Sequence, residues 1–159
     1  MCNFQPRTIL IRDATARDRV SNLLHDAVFR ARDVQFQARD RVFQMILWRE
    51  VTECTRRSRL FPFVWRVHVL RARCRLVFHN VAGATIDIRD RLDYFSLFRI
   101  ECDKRRSCLR CHTEGAINIE VAIGTLDGTL VDTGETSWDQ FGYSMLRPGP
   151  AGVSSFRVT

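Results

Sequence analysis

Between Pro6 and Pro62 the chain contains neither glycine nor proline, the two residues that most often interrupt regular elements. Within this stretch, apolar residues recur at helical spacing after Asp13, a residue type that commonly caps a helix N-terminus. The recurring positions are Ala16, Val20, Leu23 and Leu24. The pattern therefore predicts a helix over about residues 14–25.

Residues 28–51 fit two interpretations. One continues the helix, and the other forms two strands, at residues 28–37 and 42–51, around a polar turn at residues 38–41. Aromatic and β-branched residues such as Phe36 and Ile46 favour strands, whereas the arginine, glutamine, alanine and methionine content favours a helix. Periodicity alone leaves both interpretations open.

Beyond residue 63 the pattern changes to the two-residue period of β-strands. Residues 67–79 alternate strictly, and one face carries His68, Leu70, Ala72, Cys74, Leu76 and Phe78. The other face carries three arginines, at positions 71, 73 and 75. Further strands are predicted at residues 85–89, 95–102, 108–112 and 117–123, separated by polar or glycine-containing turns. Short strands at this spacing are typical of a sandwich or small barrel.

The length and composition are those of a single globular domain. The 159 residues are 45% hydrophobic, enough to bury a core without added cross-links. We expect one domain over residues 8–146 and a mobile tail over residues 147–159. The N-terminal segment lacks the apolar core of a secretory signal, and no apolar stretch approaches the ~18 residues of a membrane helix. The expected location is therefore the cytoplasm, where the six cysteines would be free thiols.

Cys108, Cys111 and His112 have the spacing of covalent c-type haem attachment, in which two thiols bond the vinyl groups and the histidine ligates iron. Together with Cys102 they also make four candidate zinc ligands. Against haem stands its usual attachment outside the cytoplasm. Against zinc stands the strand geometry, because neighbours such as Cys111 and His112 point to opposite faces. The simpler hypothesis is half-buried thiols in a hairpin, with no cofactor and no metal site.

Other catalytic motifs are weak or missing. Leu130 to Gly134 matches the Asp-Thr-Gly signature of retroviral-type aspartic proteases, but only 25 of the 159 residues follow it, too few for that family's flap and remaining strands. We expect Asp132 instead to lie in a turn and to bond nearby backbone amides. The only lysine, Lys104, does not follow a glycine, which excludes a phosphate-binding loop. His68 is expected to be a core histidine, and no enzymatic activity is expected.

Charge is distributed unevenly along the chain. The net charge is +7, yet residues 1–80 carry 16 arginines against seven acids, a balance of +9, and residues 81–159 have a balance of −2. Most of the excess lies in residues 56–75, which contain no acid and interleave Phe61, Phe63 and Trp65 with arginines. The candidate anion-binding residues are Arg56, Arg57, Arg59, Arg66, Arg71, Arg73 and Arg75.

Arginines for phosphates and exposed aromatic rings for base stacking are how proteins hold single-stranded nucleic acid. The same composition also fits a solvated face over core aromatics, or a genome that favours arginine codons. The segment is therefore a candidate surface for RNA or another polyanion.

The predicted helix is followed by His25-Asp26-Ala27-Val28 and then by a hairpin around Arg39-Asp40-Arg41 that runs into residues 43–49. This order resembles a bacterial family catalogued only as a domain of unknown function. The family's closing features would be Gly115, Ile117, Ile119, Glu120, Val121, Asp132, Gly134 and Trp138. The resemblance covers about residues 13–138 and implies strands, not helix, over residues 28–51. It implies no activity and no functional residues.

The sequence as a whole predicts an α+β, mainly β fold, with one N-terminal helix packed on a curved antiparallel sheet in the form of a small barrel or sandwich. We expect a non-enzymatic binding or assembly module with a protein partner and no membrane association. The first alternative is RNA or polyanion binding through the arginine-rich segment. The second is a metal- or haem-binding protein that uses Cys102, Cys108, Cys111 and His112.

Overall fold

A computed structural model describes residues 4–61, 64–89, 93–103, 105, 107–114 and 117–144. In this part of the chain, no helix is long and apolar enough to cross a membrane. The tail predicted at residues 147–159 lies outside the described residues.

The chain begins with a short strand, β1 (Thr8–Ile11), and then forms the predicted helix, α1 (Ala14–Leu23). The Asp13 carboxylate accepts the backbone N–H of Ala16 at 2.7 Å, so the expected N-cap is confirmed. The buried face of α1 contacts β1 and a later strand, where the Ser21 hydroxyl accepts the backbone N–H of Ile100 at 2.9 Å. The helix is thereby packed on the sheet through a buried hydrogen bond.

Residues 28–51 form strands, as the family resemblance implied. They comprise β2 (Ala27–Phe29), a 3₁₀ turn (Ala31–Asp33), β3 (Val34–Gln37) and β4 (Val42–Glu50). The single strand expected over residues 28–37 is therefore interrupted by the 3₁₀ turn. Alternate side chains of β4 are buried, which fits a strand covered on one face.

The remaining described elements are strands, apart from a second 3₁₀ turn at Thr52–Cys54. They are β5 (Arg56–Phe61), β6 (Val64–Phe78), β7 (Val81–Ile88), β8 (Phe95–Asp103), β9 (Cys108–Glu114), β10 (Ile117–Ile123) and β11 (Gly128–Ser144). The eleven strands β1 to β11 belong to one antiparallel sheet. Nine of them follow the order β1-β11-β6-β4-β2-β8-β9-β10-β7, while β3 pairs with β4 and β5 pairs with β6. The mainly β fold with one N-terminal helix is confirmed.

The sheet is strongly curved but not closed into a barrel. Its inner face is fully buried from Ile11 of β1 to Val121 of β10, although a single helix is too narrow to cover eleven strands. The sheet must therefore curl over its own inner face. The Val81 N–H donates to the Arg41 carbonyl at 2.9 Å, so β7 returns to the start of β4, yet the described residues form no ladder between these two strands. The closed small barrel considered from the sequence is not formed.

The alternation predicted over residues 67–79 is confirmed by burial from Leu70 to Phe78, whereas Val69 is buried as well. Leu70, Ala72, Cys74, Leu76 and Phe78 are buried, and the arginines between them face outward. His68, expected in the core, is only partly buried because it lies beyond the covered part of the strand.

Candidate binding surface

The arginine-rich segment forms most of a three-stranded ribbon at one end of the sheet. We define the arginine ribbon as β5, residues 64–70 of β6 and residues 136–144 of β11. β4 pairs with residues 71–78 of β6, and β5 takes its place beside residues 64–68. The ribbon thus consists of the ends of the long strands β6 and β11 that extend past the last residue of β4, with β5 beside them.

On β5 both faces of the strand meet solvent. Arg56, Arg57, Ser58 and Arg59 are exposed one after another, without the alternation that a covered face produces. Across β6, Arg66 lies opposite Ser58 and is partly buried. The structure therefore brings four of the seven predicted arginines together at the ribbon.

The other three arginines belong to the body of the sheet, and two of them are engaged there. The Arg71 Nε lies 2.8 Å from an Asp139 carboxylate oxygen and its Nη2 lies 3.7 Å from Glu50. The Arg73 Nη1 lies 2.7 Å from Glu135, and this hydrogen bond raises the pKa of the guanidinium. Arg71 and Arg73 therefore already contact acids, which lie on strands distant in sequence.

Arg75 completes the set of predicted arginines. It is exposed on β6, where it lies opposite Ile46 of β4 and Val131 of β11. It lies on the same strand as the ribbon, five residues beyond the ribbon's end at Leu70.

A tryptophan that the sequence did not assign to this surface completes it. Trp138 of β11 is 47% exposed, and the Arg56 guanidinium carbon lies 5.3 Å from the centre of its ring. This cation–π contact crosses β6, since Trp138 pairs with Leu70 and Arg56 pairs with His68. Only the register of β6 and β11 reveals the contact. The predicted Phe63 and the side chains of Phe61 and Trp65 lie outside the described part of the structure.

The Cys/His segment is a strand with two unlike faces. In β9, Leu109 and Cys111 are buried, whereas Cys108 is partly buried and His112 is exposed. The His112 Nε2 contacts a Glu101 carboxylate oxygen at 2.8 Å. Burial raises the pKa of the Cys111 thiol to about 12 and also raises that of Cys108.

The four candidate ligands of this segment do not converge. Cys102 lies opposite Leu109 in the β8–β9 ladder, and Cys111 and His112 point to opposite faces of β9. Within the described residues, no three His, Cys, Asp or Glu side chains are grouped to hold a metal ion.

The expectation of six free thiols is wrong for Cys54, which is disulfide-bonded. Cys74, Cys102, Cys108 and Cys111 are free. The sequence offered no signal for this bond, since Cys54 belongs to no recognisable cysteine motif.

Asp132 of the protease-like motif lies in β11 and not in a turn. Its carboxylate accepts the Arg49 Nε at 2.9 Å and the Arg49 Nη2 at 2.7 Å, and both side chains are 1% exposed. It also accepts the Arg7 N–H at 3.0 Å, an amide 125 residues away and not a nearby one. Burial opposes the charge on Arg49, but the hydrogen bonds and charge of Asp132 outweigh it and raise the guanidinium pKa. The Asp132 carboxylate thus links β11 to Arg49 of β4 and to the backbone at Arg7.

A polar cleft of about 350 Å³ lies where α1 meets the β8–β9 hairpin. Its charged side chains are engaged with one another or with near neighbours: Arg17 with Asp18 at 2.7 Å, Arg99 with Glu101 at 2.7 Å. The hydrogen bond to Asp18 raises the pKa of Arg17. The cleft is therefore locally neutralised, in contrast to the ribbon.

Comparison with known proteins gives a match to a protein family. The family model described as "Protein of unknown function (DUF2948)" matches residues 10–141. Searches of curated proteins and of solved structures give no match.

Proposed function

The chain belongs to the DUF2948 family, whose function is unknown, and we propose that the protein is a non-enzymatic binding module. In this proposal the arginine ribbon holds an acidic segment of a partner protein. One observation carries this proposal. Among the described residues, no acid forms an ion pair with Arg56, Arg57 or Arg66, whereas Arg71 and Arg73 are neutralised.

Unpaired cations concentrated on one projecting element attract anionic partners and set the orientation in which they dock. The exposed Trp138 ring beside Arg56 supplies apolar contact area, and arginine and tryptophan are the residue types most enriched at the energetic centres of protein interfaces. The ribbon thus combines positive charge, which attracts an acidic partner, with an exposed aromatic ring that the partner can pack against.

A protein partner is favoured over RNA by the acids in and next to the ribbon. Glu50, Glu135 and Asp139 lie among the arginines of β6, so positive charge is interrupted along the outer face. A nucleic acid carries a phosphate at every nucleotide and would meet these carboxylates. A polypeptide can place its acids only where the unpaired arginines are.

The non-enzymatic part of the proposal is supported by how the candidate catalytic groups are engaged. The Asp132 carboxylate is held by Arg49, and the Cys111 thiol is buried with a pKa of about 12. A nucleophile or acid–base group would have to be reachable and ionisable near neutral pH.

The cytoplasm is the proposed compartment, on the sequence features given above. The disulfide at Cys54 is the observation against it, because disulfides are rare where thiols are kept reduced.

The test compares two triple variants that remove equal charge. Arg56→Gln/Arg57→Gln/Arg66→Gln removes the ribbon arginines, and a second variant replaces Arg12, Arg19 and Arg39, exposed arginines away from the ribbon, with glutamine. Binding of a labelled polyglutamate peptide is measured by fluorescence anisotropy. We expect the ribbon variant to lose affinity at least about tenfold and the control to stay within about twofold of the natural protein.

Equal losses in the two variants would show that only net charge matters and would overturn the proposal. An oligouridine of the same charge is measured in parallel at the same salt concentration. Tighter binding of the oligouridine, lost in the ribbon variant, would replace the protein partner with RNA.

A further inference from the structure

We propose that the acidic partner segment adds to the open edge of β5 as one more antiparallel strand. This inference rests on the proposed function, because it specifies how the same ribbon holds its ligand. Within the described part of the chain, β5 pairs with β6 alone, so no described strand lies along its other edge. The backbone N–H and C=O groups on the edge of a sheet are a template for a further strand. An extended peptide completes such an edge through main-chain hydrogen bonds.

The edge is held in place before any partner arrives. The residues leading into β5 form the 3₁₀ turn Thr52–Cys54, in which the Cys54 N–H donates to the Val51 carbonyl at 2.9 Å. Val51 is itself buried and donates to the Leu70 carbonyl of β6 at 2.8 Å. Cys54 is buried and disulfide-bonded. A strand fixed at its start loses little conformational freedom on binding.

The arginines of β5 decide which strand the edge accepts. Arg57 and Arg59 are two residues apart and project to one face, and both are exposed. A strand with carboxylates at alternate positions would place an acid opposite each of them, a favourable cross-strand arrangement. A second copy of β5 would instead place arginine against arginine, which is unfavourable. The same charges therefore oppose self-association and favour an acidic strand.

The opposite face of β5 offers a different surface to the added strand. There Arg56 reaches across β6 to the ring of Trp138, and Ser58 lies beside it in the strand. Small polar side chains of the partner fit this face without displacing the cation–π contact. The preferred sequence is thus an alternation of acidic and small polar residues.

The experiment uses the full-length protein and a synthetic peptide in which glutamate and threonine alternate. Two further peptides carry N-methyl groups on alternate residues, one set on the glutamates and the other on the threonines. Only one set of amides can face β5 in an antiparallel ladder. We expect one methylated peptide to lose affinity at least about tenfold and the other to stay within about threefold of the parent, because only one loses its interstrand hydrogen bonds.

A charge exchange tests the register. Arg57→Glu should weaken the glutamate–threonine peptide at least about fivefold and should bind a lysine–threonine peptide that the natural protein rejects. Arg39→Glu, at an exposed turn outside the ribbon, is the matched control and should change neither affinity. Hydrogen exchange should slow at amides of Arg56–Phe61 when the parent peptide binds.

The outcomes separate the two proposals. Equal affinities of the two methylated peptides, or slowed exchange at another strand instead of β5, would overturn strand addition while leaving acid binding by the ribbon intact. Failure of every acidic peptide to bind the natural protein would overturn the proposed function as well.

Discussion

The buried ion pair between Arg49 and Asp132 allows a quantitative prediction about stability. Asp132→Asn replaces the carboxylate with an amide of nearly the same shape. The guanidinium then meets an NH₂ group where it met an oxygen at 2.7 or 2.9 Å, and its charge is left without a counter-ion at 1% exposure. The third donor to the carboxylate, the Arg7 N–H, also loses a charged acceptor.

The expected loss follows from the burial. Removing one partner of a buried, hydrogen-bonded ion pair costs about 3–5 kcal/mol, because the other charge stays in a medium of low polarity. The free energy of unfolding of a natural domain is about 5–15 kcal/mol, so the variant should keep roughly half of it. The melting temperature should fall by about 6–20 °C, at about 2–4 °C per kcal/mol.

Equilibrium unfolding in urea, followed by tryptophan fluorescence, measures the change. Glu135→Gln is the matched control on the same strand, since the Glu135–Arg73 pair is 52% and 38% exposed and an exposed pair contributes at most about 1 kcal/mol. Arg49→Met/Asp132→Leu removes both charges and should recover most of the loss. A loss for Asp132→Asn no larger than that of Glu135→Gln would refute the reasoning.

Two further predictions concern the core. Burial raises the pKa of the Cys111 thiol to about 12 in the folded protein, from 9.0 in the unfolded chain. The contribution of the neutral thiol to the free energy of unfolding is therefore complete below pH 9 and is lost as the pH rises towards 12. Between pH 8 and 10.5 the natural protein should therefore lose about 2 kcal/mol more than Cys111→Ala in urea unfolding, and parallel pH profiles would contradict this. A Cβ at Gly128 would lie 2.6 Å from the Phe78 ring, whereas one at Gly83 meets nothing within 4 Å. Gly128→Ala should cost about 1–3 kcal/mol and Gly83→Ala less than about 0.5 kcal/mol, and similar thermal unfolding of the two variants would contradict the packing argument.

Sequence periodicity was most informative where a single element carries its own signal. The helix after Asp13 and the alternation from Leu70 to Phe78 are both present in the structure, because side-chain direction repeats every 3.6 residues in a helix and every two in a strand. Residues 28–51 gave a mixed signal. There the family resemblance, and not the pattern, indicated strands, and the 3₁₀ turn at Ala31–Asp33 was missed.

The binding surface was only partly visible in the sequence. The run of arginines on β5 was found, since these residues are adjacent in the chain. Arg71 and Arg73 were assigned to the same surface because their acidic partners, Asp139 and Glu135, lie more than 60 positions away. Trp138 was missed for the same reason.

What the sequence by itself determined is the class of fold and the stretch of chain that carries the charge. Which strands are neighbours was decided only by the tertiary structure. A two-residue period shows whether a side chain points inward or outward, but it does not show which strand pairs with its own. The pairing of β6 with β4 and β11 brings Asp132 onto Arg49, 83 residues away, and turns a protease-like motif into a structural ion pair. The same ladder changes partner along β6, since β4 pairs with residues 71–78 and β5 with residues 64–68.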